Sequence, residues 1–291
     1  MEKAPGTGMK KIDLDEVFKK KNPGLYRWIP GFVMRFLKNL VHQDDMNRFI
    51  ELHGQTTGIE FLKEALDFFE TERPVEGLEN VPLTGTAIIV ANHPLGGLDG
   101  LALIEALHKR RKDIKVMVND ILLALENLSE FWIPVNKHGR NTQEHARIIE
   151  KAYLDGNAVI IFPAGLVSRK KSGIIKDLPW KKTFITRSKS FNCPVIPAFI
   201  EGNNRKIFYR VAKIREALGI KANLEMTLLP AEMFAQRKKR IGITFGKPIS
   251  PDAFNATRKA DEWAAKMRDY IYCIPNNPEL TFEEFLNQNS Q

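Results

Sequence analysis

From residue 84 onward, short runs rich in isoleucine and valine alternate with longer amphipathic stretches, and this alternation constrains the fold most tightly. The apolar runs predict strands at residues 86–91, 114–118, 132–135, 158–162, 195–200, 224–229 and 241–245. Helical stretches lie between several of them, at residues 101–111, 121–128, 143–154 and 181–190. Apolar strands separated by helices are typical of parallel sheets that are covered on both faces. The sequence therefore predicts an α/β fold with a mostly parallel sheet flanked by helices.

The chain on either side of this pattern predicts helices only. Residues 32–41 and 59–69 have apolar positions at helical spacing, and so do residues 258–273. We therefore expect three parts. Residues 1–79 form an N-terminal helical region, residues 80–255 form the α/β domain, and residues 256–291 form a C-terminal helical extension that packs on that domain.

The apolar stripe of residues 32–41 has two interpretations. It packs on the domain core, or it lies in a membrane surface, and a helix with two apolar faces would do both. Trp28 and the run Lys19–Lys21 stand close by in the sequence. Aromatic and cationic side chains favour the headgroup zone of a bilayer, which suits the second interpretation. The sequence leaves both open.

Composition excludes several classes of protein. Hydrophobic residues make up 43% of the 291 residues and charged residues 27%, which is ordinary for a globular chain and excludes wholesale disorder. The two cysteines, Cys193 and Cys273, exclude a disulfide scaffold and a cysteine-rich zinc site. No secretory signal is present, and no apolar run approaches the roughly 20 residues that cross a bilayer. We expect a cytoplasmic protein that is soluble or lies on the inner face of the cell membrane.

The net charge of +9, from 44 basic and 35 acidic residues, favours an anionic partner. Charge alone does not choose between nucleic acid, an acidic lipid surface and an acidic substrate. The basic clusters are not interleaved with stacking aromatic residues, and no common RNA- or DNA-binding motif occurs, so we expect no nucleic acid. Glycine-rich nucleotide loops, a nucleophile elbow and a zinc-protease motif are also missing from the sequence.

One segment, residues 90–100, brings polar and glycine residues to the end of a predicted strand. Asn92 and His93 follow the strand directly, and Asp99 comes after Gly96 and Gly97. Ligand sites in parallel sheets form at the carboxyl ends of strands. A carboxylate that accepts the Nδ1 proton of a histidine leaves Nε2 free as a general base. The segment therefore predicts a catalytic His93–Asp99 pair acting on a substrate hydroxyl, or alternatively a carboxylate that only caps the next helix.

This segment resembles the first motif of the glycerolipid (lysophospholipid) acyltransferase family, in particular a hemolysin-like bacterial branch. Three later segments keep the family's order: residues 131–140, Phe162-Pro-Ala-Gly-Leu-Val-Ser-Arg169 and residues 193–198. The resemblance covers roughly residues 80–250. It departs from the family pattern in two places: one additional residue separates His93 from Asp99, and Ala164 stands where the family usually has glutamate.

The resemblance implies an O-acyltransferase of membrane lipid synthesis that moves a fatty acyl group from a thioester to a lysolipid hydroxyl. His93 would be the general base, Asp99 would orient it, and no acyl-enzyme would form. Backbone N–H groups of the glycines would bind the oxyanion, and cations of the later motifs would bind the head group. The implied substrate-binding residues are Asn92, Gly96, Gly97, Lys137, Arg140, Gly165 and Arg169. For Arg169, a solvated basic loop is the alternative interpretation.

The resemblance also implies the partners. The acceptor would be a lysophospholipid or a lyso-amino-acid lipid on a membrane surface, and the donor would be acyl-CoA or an acyl carrier protein thioester, with no metal and no cofactor. Two alternatives stay open. The chain could be a non-catalytic basic membrane-binding protein, which Ala164 would suit, or a lipid or thioester hydrolase in which water replaces the lysolipid.

Overall fold

A seven-stranded sheet lies at the centre of the protein. The structure is a computed structural model that describes residues 11–21, 23–118, 120–123, 125–134 and 143–288. The strands of the sheet run in the order β1-β9-β8-β2-β5-β3-β4, and a separate hairpin pairs β6 with β7. Within the described residues the strands are β1 (Val75–Glu76), β2 (Ala87–Ala91), β3 (Ile114–Val118), β4 (Trp132–Pro134), β5 (Ala158–Ile161), β6 (Arg169–Lys171), β7 (Ile174–Lys176), β8 (Val195–Ile200) and β9 (Ile243–Phe245).

Neighbouring strands of the large sheet are parallel except for β8 and β9, which are antiparallel. The expected α/β fold is therefore confirmed. Within the described residues the helices are α1 (Leu14–Lys21), α2 (Pro23–Trp28), α3 (Gly31–Leu40), α4 (Gln43–His53), α5 (Gly58–Phe68), α6 (Gly97–His108), α7 (Asp120–Leu123), α8 (Gln143–Leu154), α9 (Thr183–Phe191), α10 (Lys206–Ala217), α11 (Leu229–Phe234), α12 (Ala260–Ile271) and α13 (Phe282–Gln288).

Helices cover both faces of the sheet, as near-continuous apolar strands require. Successive side chains of a strand point to opposite faces. In β2, Ile89 packs in the cluster that contains residues of α5 and α6. Its neighbours Ile88 and Val90 pack in the other cluster, with residues of α9, α12 and α13. The central strand is thus fully buried, and only its carboxyl end leads to a polar segment.

The predicted strand at residues 224–229 is wrong. Leu224–Leu228 forms a 3₁₀ helix, and α11 follows at once. Apolar and polar residues alternate here as in a strand, but Glu225 is fully buried between Arg169 and Arg215 instead of facing water. Pro230 lies in the first turn of α11, where a missing N–H breaks no hydrogen bond of the helix. The ion pairs, which join distant parts of the chain, override the local pattern.

The N-terminal helices differ in how they contact the core. Phe61 and Leu62 of α5 are buried in the cluster that covers one face of the sheet. In α3, Met34 is buried whereas Phe32 and Phe36 are exposed, so this helix has an inner and an outer face. The short strand β1 precedes residue 80 and pairs with β9, while the proposed domain boundaries stay a prediction. Among the described residues, no helix is both long and apolar enough to traverse a bilayer.

Candidate active site

The end of the central strand is held to its neighbour by a side chain. Asn92, the first residue after β2, donates its amide N–H to the Ile200 carbonyl (2.9 Å) and accepts the Ile200 N–H at Oδ1 (2.6 Å). It therefore extends the β2–β8 pairing by one residue, and it is buried. The structure gives Asn92 a positioning role for the turn that follows, which differs from the substrate contact that the resemblance implies.

His93 and Asp99 contact each other across the turn. The His93 Nδ1 and Asp99 Oδ2 atoms lie 2.9 Å apart, and the imidazole stacks on the Phe162 ring at a centroid distance of 4.4 Å. Because the carboxylate can only accept, Nδ1 carries the proton and Nε2 is the lone-pair nitrogen. Among the described residues no group hydrogen-bonds to Nε2. The pair thus has the arrangement of a general base and its orienting carboxylate.

Asp99 also stabilises the turn that it belongs to. Its Oδ2 accepts the backbone N–H groups of Leu95 (2.9 Å) and Gly96 (3.0 Å) in addition to the imidazole N–H. Asp99 stands at the third position of α6 and is completely buried. The pKa of its carboxyl is raised, because the effect of burial exceeds the lowering by the His93 ring and the two backbone N–H groups. One carboxylate thus contacts the imidazole and also caps α6, which fits both interpretations that the sequence left open for Asp99.

The glycines of the turn allow close contact with a covering segment. Gly96 has a φ of +90°, a backbone angle that residues other than glycine rarely adopt. A Cβ at Gly96 would lie 3.3 Å from Leu229, and one at Gly97 would lie 3.6 Å from the Met233 sulfur. Helix α11 therefore packs directly on the start of α6.

The segment Phe162–Arg169, which resembles the family's third motif, contacts the histidine through the Phe162 ring that stacks on His93. The Gly165 N–H donates to the Phe162 carbonyl (3.0 Å), which closes a tight turn. Ala164, at the position where the family usually has glutamate, is buried in the apolar cluster on the far side of the sheet. The motif thus contributes an aromatic wall and a turn next to the base.

A buried carboxylate that the sequence did not single out, Asp177, lies behind His93. Its Oδ1 accepts the His93 backbone N–H (3.1 Å) and the Ser168 hydroxyl (2.6 Å). Its Oδ2 accepts Trp180 Nε1 (2.8 Å), and its own N–H donates to the Tyr272 hydroxyl (2.9 Å). Trp180 and Ser168 are thereby both buried with their polar hydrogens bound to Asp177. No signal in the sequence marks Asp177, because it stands 84 residues from His93.

Arg169 is committed to a buried ion pair. Its guanidinium donates to Glu225 (2.6 Å) and to the Val167 carbonyl, and only 4% of its side chain is exposed. Arg215 binds the other oxygen of Glu225 (2.9 Å). This triad holds α10 and the 3₁₀ helix against the third motif. Arg169 is therefore neither presented to a head group nor part of a solvated loop.

Two of the implied head-group residues, Lys137 and Arg140, lie outside the described residues. An exposed cation that the sequence did not single out, Lys181, stands beside the third motif. The backbone N–H of Lys181 donates to the Pro163 carbonyl (3.1 Å), and a Cβ at Gly165 would lie 3.9 Å from the Lys181 Nζ. The described residues contain no group of three or more side chains that would suit a metal ion.

A cavity of about 350 Å³ is lined by the end of α9 and by residues 251–255. Asn192, one of its lining residues, precedes β8, which is parallel to β2. The cavity therefore opens at the amino ends of these strands, whereas His93 lies at the carboxyl end. It is not part of the candidate site.

Comparisons with known proteins identify relatives over almost the whole chain. A family model described as acyltransferase matches residues 16–279. The lyso-glycine lipid O-acyltransferase of Phocaeicola vulgatus is 40% identical over 262 residues, covering 90% of this chain and 94% of that protein. The protein of the same name from Bacteroides thetaiotaomicron is 39% identical over 262 residues, covering 90% and 96%.

A more distant likeness is to the crystal structure of PlsC, the 1-acyl-sn-glycerophosphate acyltransferase of Thermotoga maritima. It has a TM-score of 0.45 and 16% identity, and it covers 88% of this chain and 84% of that one. That likeness is too distant to assign a role to any residue.

Proposed function

This chain belongs to the acyltransferase family, and we propose that it transfers a fatty acyl group from an acyl thioester to a lysolipid hydroxyl with His93 as the base. The observation that carries the proposal is the contact of 2.9 Å between His93 and a fully buried Asp99 at the carboxyl end of the central strand. Such a pair can remove a proton from a hydroxyl, which is what O-acyl transfer requires.

In this mechanism His93 Nε2 accepts the proton of the lysolipid hydroxyl while that oxygen attacks the thioester carbonyl carbon. Asp99 keeps Nδ1 protonated and offsets the positive charge of the imidazolium. When the tetrahedral intermediate collapses, the carbon–sulfur bond breaks and the imidazolium returns its proton to the leaving sulfur. The products are an acylated lipid and a free thiol, and no acyl-enzyme forms.

The oxyanion of the intermediate needs a hydrogen-bond donor near His93. The N–H groups of Gly96 and Gly165 already donate, to Asp99 and to Phe162. Gly97 is the first residue of α6, and the first N–H groups of a helix have no partner within the helix. Of the three glycines, Gly97 is therefore best placed to stabilise the oxyanion, and the positive end of the α6 dipole adds to the effect.

The acceptor is a lyso-glycine lipid, as the names of the two relatives suggest. A glycine head group ends in a carboxylate, so the site needs a cation close to the reacting hydroxyl. Lys181, which is exposed beside the third motif, supports this assignment, whereas the buried Arg169 does not. The donor is an acyl-CoA or an acyl carrier protein thioester.

The enzyme works on the inner face of the cell membrane, and the outer face of α2 and α3 supports this location. Trp28, Phe32 and Phe36, here called the aromatic surface, are 85%, 74% and 62% exposed. They stand four residues apart, and the exposed Arg27 and Arg35 flank them. Exposed aromatic rings next to cations are typical of segments that lie in the headgroup zone of an anionic bilayer.

We expect Phe32→Ser with Phe36→Ser to weaken binding to anionic vesicles at least tenfold. Two rings that leave the bilayer each forfeit about 1–3 kcal/mol of apolar burial. Vesicle sedimentation measures the change. The control replaces two exposed aliphatic residues of α8, Ile148→Ser with Leu154→Ser, and should bind like the wild type. Equal binding by both double variants would remove the aromatic surface from the proposal.

Product analysis tests the proposed reaction. The purified protein is incubated with an acyl thioester and either a lyso-glycine lipid or lysophosphatidate, and mass spectrometry identifies the lipids that form. We expect the diacylated glycine lipid and a stoichiometric amount of free thiol. Free fatty acid without an acylated lipid would instead identify a hydrolase. Vesicle binding without turnover of any donor would favour the non-catalytic alternative.

A further inference from the structure

We propose that α10 and the turn after it form a second docking surface, which places the active site against an anionic lipid bilayer. The inference rests on the proposed function and deepens it, since it names how the site reaches its lipid acceptor. Three observations carry it: the anchoring of α10 to the catalytic turn, the apolar residues on its outer face, and the cations around them.

The inner face of α10 is tied to the residue that follows His93. Phe208 and Tyr209 are buried, and the Tyr209 hydroxyl accepts the Asn204 N–H (3.1 Å). The Asn204 side chain donates in turn to the Pro94 carbonyl (3.1 Å). Because these contacts join buried groups, α10 keeps a fixed position relative to the catalytic turn.

The outer face of the same helix is apolar. Ile207, Ile214 and Leu218 are 49%, 60% and 68% exposed, and their spacing of seven and four residues places them on one stripe. Ile220 and Leu224 continue the exposed apolar surface beyond the helix. A row of large aliphatic side chains exposed to solvent marks a contact with a membrane or with another protein.

The charges of this segment favour a membrane. The exposed cations around the stripe are Lys206, Arg210, Lys213 and Lys221. Between residues 205 and 224 the only acidic residue is Glu216. Aliphatic residues on one side and lysine or arginine on the other are the pattern of a helix that lies in the surface of an anionic bilayer.

The two docking surfaces lie on connected parts of the fold. His42, just after α3, stacks on Phe234 of α11 at a centroid distance of 4.0 Å. Helix α11 packs on Gly97 at the start of α6, and Asn204, which Tyr209 of α10 holds, donates to Pro94. Two contacts with one bilayer fix the orientation of the protein, which a single helix leaves free to rotate.

Vesicle sedimentation with the full chain tests the proposal. One variant removes apolar residues, Ile214→Ser with Leu218→Ser, and the other removes charge, Arg210→Gln with Lys213→Gln. The probes are vesicles of phosphatidylglycerol with phosphatidylethanolamine, and vesicles of phosphatidylcholine alone. We expect the charge variant to bind anionic vesicles about 25-fold more weakly, because each of the two basic residues contributes about fivefold near an anionic surface. The apolar variant should lose binding to both kinds of vesicle.

The matched control is the α8 pair, Ile148→Ser with Leu154→Ser, which should bind like the wild type. Wild-type binding by both α10 variants would overturn the proposal, and so would a loss confined to an acidic acyl carrier protein. Turnover of an acceptor dispersed as monomers should be unchanged in the α10 variants. Failure of the wild type in that assay would contradict the proposed reaction and leave the vesicle result to decide the docking surface.

A different observation carries a second inference: we infer that Asp177 is a positioning residue for His93. Its carboxylate accepts one backbone N–H from His93, one hydroxyl from Ser168 and one indole N–H from Trp180. It therefore joins the base to the third motif. Asp177 is buried, and it binds the backbone of His93 and not the imidazole ring. It therefore acts through the placement of the imidazole.

The Asp177→Asn variant tests this role, because its amide retains the volume but offers one acceptor oxygen instead of two. We expect kcat to fall about 10²-fold with KM within twofold, since small misplacements of a reacting group cost about that much. Tyr272→Phe is the matched control, because it removes a hydroxyl that contacts Asp177 but leaves the three donors to the carboxylate in place. Its kcat should stay within about threefold.

A purely structural role would lower the amount of folded protein without changing kcat per folded molecule. Unchanged kcat in folded Asp177→Asn would therefore overturn the inference. Ser168→Ala removes one donor to the same oxygen and serves if Asp177→Asn does not fold. Its kcat should fall several-fold at unchanged KM, and a wild-type kcat there would contradict the positioning role.

Discussion

Replacing His93 with alanine should lower kcat by about 10²–10⁴-fold, the range expected when a general base is removed. The imidazole is the group at the carboxyl end of the central strand that can take the proton of the acceptor hydroxyl. Its partner carboxylate is already bound at Nδ1. The substitution leaves the Asn92 and Asp177 contacts to the backbone in place, so the fold and vesicle binding should be kept. Steady-state kinetics with a thioester donor measures the change.

The control for this experiment is His108→Ala. His108 ends the same helix, α6, that begins beside His93, and it is partly exposed. Its removal should change neither kcat nor stability by more than a small factor. If folded His93→Ala turned over the lysolipid at the wild-type rate, the proposed mechanism would be wrong whatever the products were.

The second large effect is expected for Asp99→Asn, which should lower kcat by about 10²–10⁴-fold. The amide oxygen can still accept the Leu95 and Gly96 N–H groups that Asp99 binds, so the turn is retained. A neutral amide no longer offsets the imidazolium charge that develops as the hydroxyl is deprotonated.

Loss of the helix cap alone does not account for such an effect, and α12 offers the comparison. Glu262 stands at the third position of that helix and accepts the Lys259 N–H (3.1 Å), as Asp99 does for Gly96. Glu262→Gln should therefore leave kcat unchanged. A kcat for Asp99→Asn within about threefold of the wild type would show that Asp99 only caps α6.

The strands and helices of the core were predictable because a buried strand or helix face requires a local pattern of apolar residues. Strand β8 is apolar over its whole length and β3 is apolar except for Lys115, and the structure confirms both with the predicted bounds. Helix α8 also has the predicted bounds. The two-residue strand β1 is too short to have such a pattern, and only its pairing with β9 defines it.

The His93–Asp99 pair was predictable for the same reason, since both residues lie in one short segment after a buried strand. Asp177 and Glu225 were not, because their partners stand far away in the chain. Asp177 binds His93 across 84 residues, and Glu225 binds Arg169 across 56. A carboxylate on a loop has the same appearance in the sequence whether it faces water or is buried against three donors.

The amino-acid order alone determined the central strand, the turn after it and the two chemical groups that the turn presents, because these depend on neighbours a few residues apart. Only the folded chain decided that Arg169 is buried with Glu225 and that α10 exposes an apolar face. The physical reason is that burial and charge pairing depend on which distant segments pack together, and this is settled when the whole core forms.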